Sequence, residues 1–169
     1  MAGHGFHCVV PDRPLPIYLD VMGRPPRVGS FAPALRRSNK LTVESVTVPV
    51  VAPEDLVLLK LTRRLSDYEV ISELARIRVA QAGSGRTRRA ALRWGARWTF
   101  RAADRASWAR ELGRARSIAK CRRDVAREIS AHQVRDTVYW RRRIAEPRHF
   151  FRNGTLLPEG APVRTGRST

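Results

Sequence analysis

Residues 46–74, VTVPVVAPEDLVLLKLTRRLSDYEVISEL, constrain the architecture of this chain more than any other stretch. A strand, a helix and a second helix must follow one another there with almost no linker. Val43 to Val51 is dense in β-branched Val and Thr, which suit a pleated surface, and reads as a strand. Pro53 follows. Proline removes a donor from a strand ladder, but its missing N–H is harmless at the first position of a helix. Glu54 and Asp55 then set negative charge against the helix's positive end. Leu56, Val57, Leu58, Leu59 and Leu61 make a broad apolar face, and Arg63 and Arg64 suit the negative end. Ser66 with Glu69 three residues on has the form of a capping box, so a second helix is expected to start there. Tyr68, Ile71, Leu74, Ala75 and Arg78 keep helical spacing beyond it.

Upstream, Phe6–Val10 (FHCVV) and Ile17–Met22 (IYLDVM) read as strands joined by the proline-rich PDRPLP, a hairpin with an irregular loop. Phe31 to Arg37 has the length of one or two helical turns. Downstream, Gln81–Gly85 (QAGSG) is a break and a domain boundary. Helix resumes after it. Trp94, Trp98 and Ala102 recur at four-residue steps, and so do Arg89, Arg93, Arg97, Arg101 and Arg105. That spacing places a buried row beside a solvated arginine row. Further helices are expected over Trp108–Ile129, broken near Ser117, and over Asp136–Phe151. Asn153-Gly154 is a turn signal, and residues 153–169 read as a flexible tail. The chain thus divides into an α/β part over 1–82, an arginine-rich helical region over 83–152, and the tail.

Charge follows the same division. The formal net charge is +18 over 169 residues. Residues 1–52 hold six basic and three acidic side chains, residues 53–82 five of each, and residues 83–169 hold 22 basic and seven acidic. A basic half beside a near-neutral one points to a polyanion, because clustered guanidinium groups gain affinity by releasing counterions from phosphates. A compositional account competes: only Lys40, Lys60 and Lys120 are lysine among 33 basic residues. A GC-rich coding sequence gives such a bias, and the result is then a solvated helix face. Cys8 and Cys121 are far apart and no secretory segment opens the chain, which reads as a cytoplasmic protein with reduced thiols. No apolar run nears the roughly 20 residues needed to span a bilayer.

The motifs also occur in a telling order. A strand carries Asp20 in IYLDV, a loop and short helix follow, then a strand reading VPVVAPEDL, then LVLLKL with Lys60, then RRLSD with Arg64 and Asp67. In that order, Phe6 to Leu74 resembles the later part of a minimal nucleotidyltransferase-fold domain, of the bacterial family that includes abortive-infection-type toxin relatives. The resemblance implies an α/β (α+β) fold, with a small mixed sheet over 1–82 followed by the mostly helical basic region. It implies a parent activity of Mg²⁺-dependent nucleotidyl transfer from a nucleoside triphosphate. Asp20 would be a catalytic carboxylate and metal ligand, and Lys60 a phosphate contact or the partner of a carboxylate. Arg64 and Asp67 flank the junction of two helices, where a local ion pair would pin the corner in a structural or accessory role. The C-terminal DTVYW…LLPEGAPV is a weaker point of likeness.

The resemblance further implies a truncated domain. The Gly-Ser turn and Asp-x-Asp pair that open such a domain have no counterpart here, since neither Gly29-Ser30 nor Gly83-Ser84 is followed by the pair. Nucleotidyl transfer needs two or three carboxylates around a divalent metal, so this chain alone is expected to be inactive. Its strands Ile17–Met22 and Val43–Val51 are expected to keep uncovered apolar surface, which favours self-association or a partner chain.

The alternative function is non-enzymatic nucleic-acid binding. Arg89, Arg93, Arg97 and Arg101, then Arg141, Arg142 and Arg143 after Tyr139-Trp140, would contact phosphate, while Trp94 and Trp98 either stack bases or pack inward. No helix-turn-helix, zinc-finger or RNA-recognition signature specifies a mode. His4, His7 and Cys8 have a metal-like spacing without further ligands, and His132, His149 and Cys121 are isolated in basic helices.

Overall fold

The computed structural model describes residues 5–10, 17–22, 25–143 and 152, the first two segments by backbone alone. His4, His149 and the tail over 153–169 lie outside the described residues, as do the side chains of His7, Cys8 and Asp20. The fold is mixed α+β with little sheet, having four strands and six helices among the described residues.

The expected hairpin forms around the proline-rich linker. β1 (Gly5–Val10) pairs antiparallel with β2 (Ile17–Met22), Gly5 opposite Met22 and Val10 opposite Ile17. The strands make two separate two-stranded antiparallel sheets in place of one mixed sheet. The reason lies in residues 39–50. Glu44 and Ser45 both have positive φ, 47° and 67°, the backbone of a tight hairpin turn. They interrupt the expected strand Val43–Val51 and fold β4 (Val46–Val50) onto β3 (Asn39–Val43), with Thr42 opposite Thr47. Leu41, Val43, Val46 and Val48 are exposed on this hairpin.

In chain order α1 (Phe31–Arg37) comes between the two hairpins, and it buries no residue. It is tied down by Arg37, whose guanidinium donates to both oxygens of buried Asp55 at 2.9 and 3.1 Å. Asp55 belongs to α2 (Pro53–Lys60), which starts on Pro53 as its chemistry dictates.

α3 (Leu65–Gln81) is the spine of the core. Tyr68, Ile71, Ser72, Ala75 and Val79 form one buried face. The first part of that face packs with Val57, Leu61, Phe100 and Val125, and the later part with Ala91, Leu92 and Trp108. Its start corrects the capping-box expectation. The helix begins at Leu65 with Arg64 in the N-cap position and no side-chain cap bond, and Ser66 is exposed in the first turn. Asp67 organises the corner instead, bonded to Lys60 and Thr62.

The break at Gln81–Gly85 leads into α4 (Gly85–Trp98). α5 (Ala102–Glu111) follows after a second break that the four-residue spacing hides. Thr99 leaves the helix with extended dihedrals and is fully buried. Phe100 N–H then donates to Ser72 Oγ at 2.8 Å, and Arg101 N–H to Thr99 Oγ1 at 3.2 Å. α4 approaches its neighbours at Gly95, where a Cβ would lie 2.7 Å from Val79 Cγ2 and 2.9 Å from the Trp108 ring. α6 (Ile118–Arg143) runs unbroken for 26 residues and joins the part of one expected helix that ends at Ile129 to the start of the next at Asp136. The break near Ser117 is its start, where the Ser117 hydroxyl accepts from Lys120 N–H at 3.2 Å. No helix among the described residues is long and apolar enough to cross a membrane.

Candidate functional site

The end of α2 and the start of α3 meet over Leu61–Arg64, and the sequence folds there around Asp67. Lys60 Nζ lies 3.1 Å from Asp67 Oδ1, and the Thr62 hydroxyl donates to Asp67 Oδ2. The same hydroxyl accepts from Arg64 N–H at 3.0 Å, and the Tyr68 hydroxyl donates to the Thr62 carbonyl. Burial, reinforced by the Asp136 charge, raises the Tyr68 pKa and keeps that hydroxyl a donor. From α6, Asp136 is 1% exposed and accepts from Arg63 N–H and from the Arg27 guanidinium, both at 3.1 Å. Arg27 also donates to the Leu58 carbonyl at 2.9 Å.

These groups surround an open cavity of about 770 Å³ bordered by Lys60, Arg63, Arg64, Asp67, Asp136 and Trp140. Both of its carboxylates are committed, Asp67 to Lys60 and Thr62, Asp136 to Arg27 and Arg63 N–H. The guanidinium groups of Arg63 and Arg64 are exposed and no ion pair joins them to a carboxylate among the described residues. The cavity therefore suits an anion. Mg²⁺ needs several oxygen ligands, and the described carboxylates here do not fit it. Among the described residues no group of three His, Cys, Asp or Glu could hold a metal ion.

Lys60 and Asp67 meet directly, so the ion pair that pins the corner joins these two and not Arg64 to Asp67. Asp20 stands in β2 opposite His7, and its side chain lies outside the described residues. Arg89, Arg93 and Arg97 are exposed on α4. The row does not continue past them. Arg101 sits in the α4–α5 break and pairs with Glu69 and Glu73 of α3, both at 3.1 Å. The Glu69 hydrogen bond leads in raising its pKa. Arg105 is buried and faces α6: its guanidinium makes two 2.8 Å bonds to Glu128 and one of 2.8 Å to the Thr99 carbonyl. Arg141 is exposed, Arg143 lies 5.5 Å over the Tyr139 ring, and the side chain of Arg142 lies outside the described residues. Trp94 and Trp98 are half-buried against the core, and each carries a guanidinium on its ring, Arg78 at 4.6 Å and Arg97 at 5.0 Å.

Arg27, Thr62, Asp136 and the Arg105–Glu128 pair are invisible to spacing arguments. Arg27 and Asp136 stand 109 residues apart. The one available signal is that Asp136 is the sole acid between Glu128 and Glu146 in a basic run.

His132 of α6 is half-buried beside the rings of Phe100 and Tyr68, at 6.1 and 6.5 Å, with Arg135 Nη2 3.2 Å from its Nδ1. Burial first, then the Arg135 charge, lower its pKa from 6.5, while Glu128 pulls the other way. The unfolded chain takes up this proton at higher pH than the folded one. The stabilisation from neutral His132 is therefore complete above pH 6.5 and is lost as pH falls through the folded value. Thermal melting measured from about pH 7.5 down to about pH 5 should show the midpoint falling, and His132→Gln should flatten that fall. An equally steep fall in the variant would assign the effect to other groups.

Comparison with protein-family models, curated proteins and solved structures finds no match.

Proposed function

We propose that this chain is a nucleotidyltransferase-like protein whose α2–α3 corner binds the phosphates of a nucleoside triphosphate, without nucleotidyl transfer being completed by these residues alone. One observation carries the reading: Lys60, Arg63 and Arg64 border a single cavity whose carboxylates are already engaged, which leaves two guanidinium groups for an incoming anion. Planar guanidinium groups match phosphate oxygens two at a time. Lys60 holds Asp67 in place, Asp67 holds Thr62, and Asp136 holds the Arg63 backbone, so the arginines project from a fixed turn. Mg²⁺ belongs to the reading as the counter-ion of the triphosphate, with Asp20 as its expected ligand. An Asp-x-Asp pair for the transfer step does not occur in the sequence, which favours binding without turnover.

Isothermal calorimetry with ATP and GTP in the presence of Mg²⁺ tests this. Saturable heat is expected for the unmodified chain. Arg63→Ala combined with Arg64→Ala should weaken binding at least about tenfold, since a charge-assisted contact contributes about 1.5–3 kcal/mol. Asp20→Ala should weaken it only when Mg²⁺ is present. No heat with either nucleotide, or unchanged binding by the Arg63/Arg64 variant, would overturn the reading.

A second reading, nucleic-acid binding through the arginine-rich helices, is favoured by a separate observation. Arg89, Arg93 and Arg97 all point outward from α4 with no carboxylate partner among the described residues.

A further inference from the structure

α4, α6 and the loop between α5 and α6 build a groove distinct from the cavity at the α2–α3 corner. α4 supplies Arg93 and Arg97, the loop supplies Arg114 and Arg116, and α6 supplies Arg135, around a cavity of about 570 Å³. A second concavity of about 380 Å³ continues it past Arg93 and Arg114 to Arg89. The loop is built to hold this shape. Gly113 has φ of 74°, its N–H bonds to the Arg110 carbonyl at 2.9 Å, and Arg114 N–H bonds to the Ala109 carbonyl at 2.7 Å. That pair of bonds around a left-handed glycine closes a helix C-terminus in one conformation, and it leaves Arg114 bordering the same two concavities as Arg93.

The charge in the groove is unanswered. Its one bordering carboxylate, Glu128, has both oxygens taken by Arg105 at 2.8 Å. Glu111, which borders the continuation, is taken by Arg88 at 2.9 and 3.2 Å. Arg116 reaches Asp124 only at 4.0 Å, and Arg135 is occupied by the Ala131 carbonyl and the His132 ring. Arg89, Arg93 and Arg114 make no ion pair among the described residues. Like charges gathered in a concavity raise a positive potential that draws a polyanion. Trp98 borders the groove half-buried, with the Arg97 guanidinium 5.0 Å over its ring. Such a layer of cation and aromatic ring is a face on which a base can stack. Unpaired bases can use that face, whereas a duplex keeps its bases stacked inside and is too wide for concavities of small-ligand size.

We infer that this groove binds single-stranded nucleic acid, with phosphates on Arg93 and Arg114 and a base against Arg97 and Trp98. The inference rests on the second reading above and gives it a location, a strand type and one contact from outside α4, Arg114.

Fluorescence anisotropy on the full chain tests it, with labelled oligo(dT) and oligo(rU) of about twelve nucleotides and a duplex of the same length. The single strands should bind more tightly than the duplex. Their affinity should fall with salt at a slope near −3 on logarithmic axes, the value for about four neutralised phosphates. Arg93→Ala with Arg114→Ala should weaken single-strand binding at least about tenfold and reduce the slope by about 1.4. If that pair melts early, Arg93→Gln with Arg114→Gln reads the same change on a side chain of similar length. Arg122→Ala with Arg123→Ala removes two exposed arginines that border neither concavity and should leave binding within about twofold. Equal binding of duplex and single strand, or equal losses in the two double variants, overturns the groove while the broader nucleic-acid reading stands. No binding of any probe overturns both.

Discussion

Gly95→Val is expected to leave the protein unfolded or barely folded near room temperature. Gly95 lies in the middle of α4, where glycine is disfavoured by about 1 kcal/mol relative to alanine. Close approach is what this glycine provides. A Cβ there would sit 2.7 Å from Val79 Cγ2 and 2.9 and 3.1 Å from two atoms of the Trp108 ring. Neither neighbour can yield cheaply. Val79 is β-branched, stiff and 4% exposed on α3, and Trp108 is 9% exposed on α5. Overpacking by one small group costs about 1–3 kcal/mol, and a branched side chain at the meeting point of three helices should exceed that range. Gly95→Ala, partly offset by its better helix propensity, should lose only about 1 kcal/mol. Urea unfolding followed by circular dichroism gives both values. A valine variant with an unchanged midpoint would mean that α3, α4 and α5 do not pack this way in solution.

Arg105→Met should lower stability by about 2–4 kcal/mol although it keeps most of the side chain's bulk. The loss is uneven between the partners. The Glu128 side chain is 40% exposed and can rehydrate when its partner goes. The Thr99 carbonyl cannot, because Thr99 is 0% exposed and receives both Nε at 3.2 Å and Nη2 at 2.8 Å from this one guanidinium. An acceptor stranded in the core is the larger penalty. Two companions separate these contributions in the same urea experiment. Arg105→Lys should recover little, since an ammonium cannot reach the fork geometry of Thr99 and Glu128 together. Glu128→Gln should cost much less than Arg105→Met. Equal losses in the Glu128 and Arg105 variants would place the stabilisation in the ion pair and not in the carbonyl.

What is legible in the sequence is local chemistry. Pro53 starts α2, QAGSG separates α3 from α4, and an ion pair does pin the α2–α3 corner, though Lys60 and not Arg64 makes it with Asp67. What is missed depends on distant residues or on weak turn codes. Glu44 and Ser45 adopt positive φ without the glycine or asparagine that usually announces such a turn, so β3 is hidden. Ser66 and Glu69 carry the letters of a capping box, yet Asp67 draws Lys60 and Thr62 across the corner and the helix starts earlier. The α4–α5 break depends on Ser72, 28 residues from Phe100, and on Arg105 filling the Thr99 carbonyl. A regular arginine spacing survives that break on paper, and two of its five members, Arg101 and Arg105, become structural ties. The cavity at the corner is half visible for the same reason: Lys60, Arg64 and Asp67 are neighbours in sequence, while Arg27 and Asp136 arrive from the far ends of the chain.

α6 has one wall in each concavity. Glu128, His132 and Arg135 border the groove, and Asp136 and Trp140 border the α2–α3 corner, the two sets meeting at the consecutive residues Arg135 and Asp136. A helix rotates and slides as a body, so any displacement favoured by an occupant of one cavity is imposed on the lining of the other. If both proposed occupants bind, they share a coupling free energy, and whatever factor a bound strand contributes to nucleotide affinity, a bound nucleotide must return to the strand.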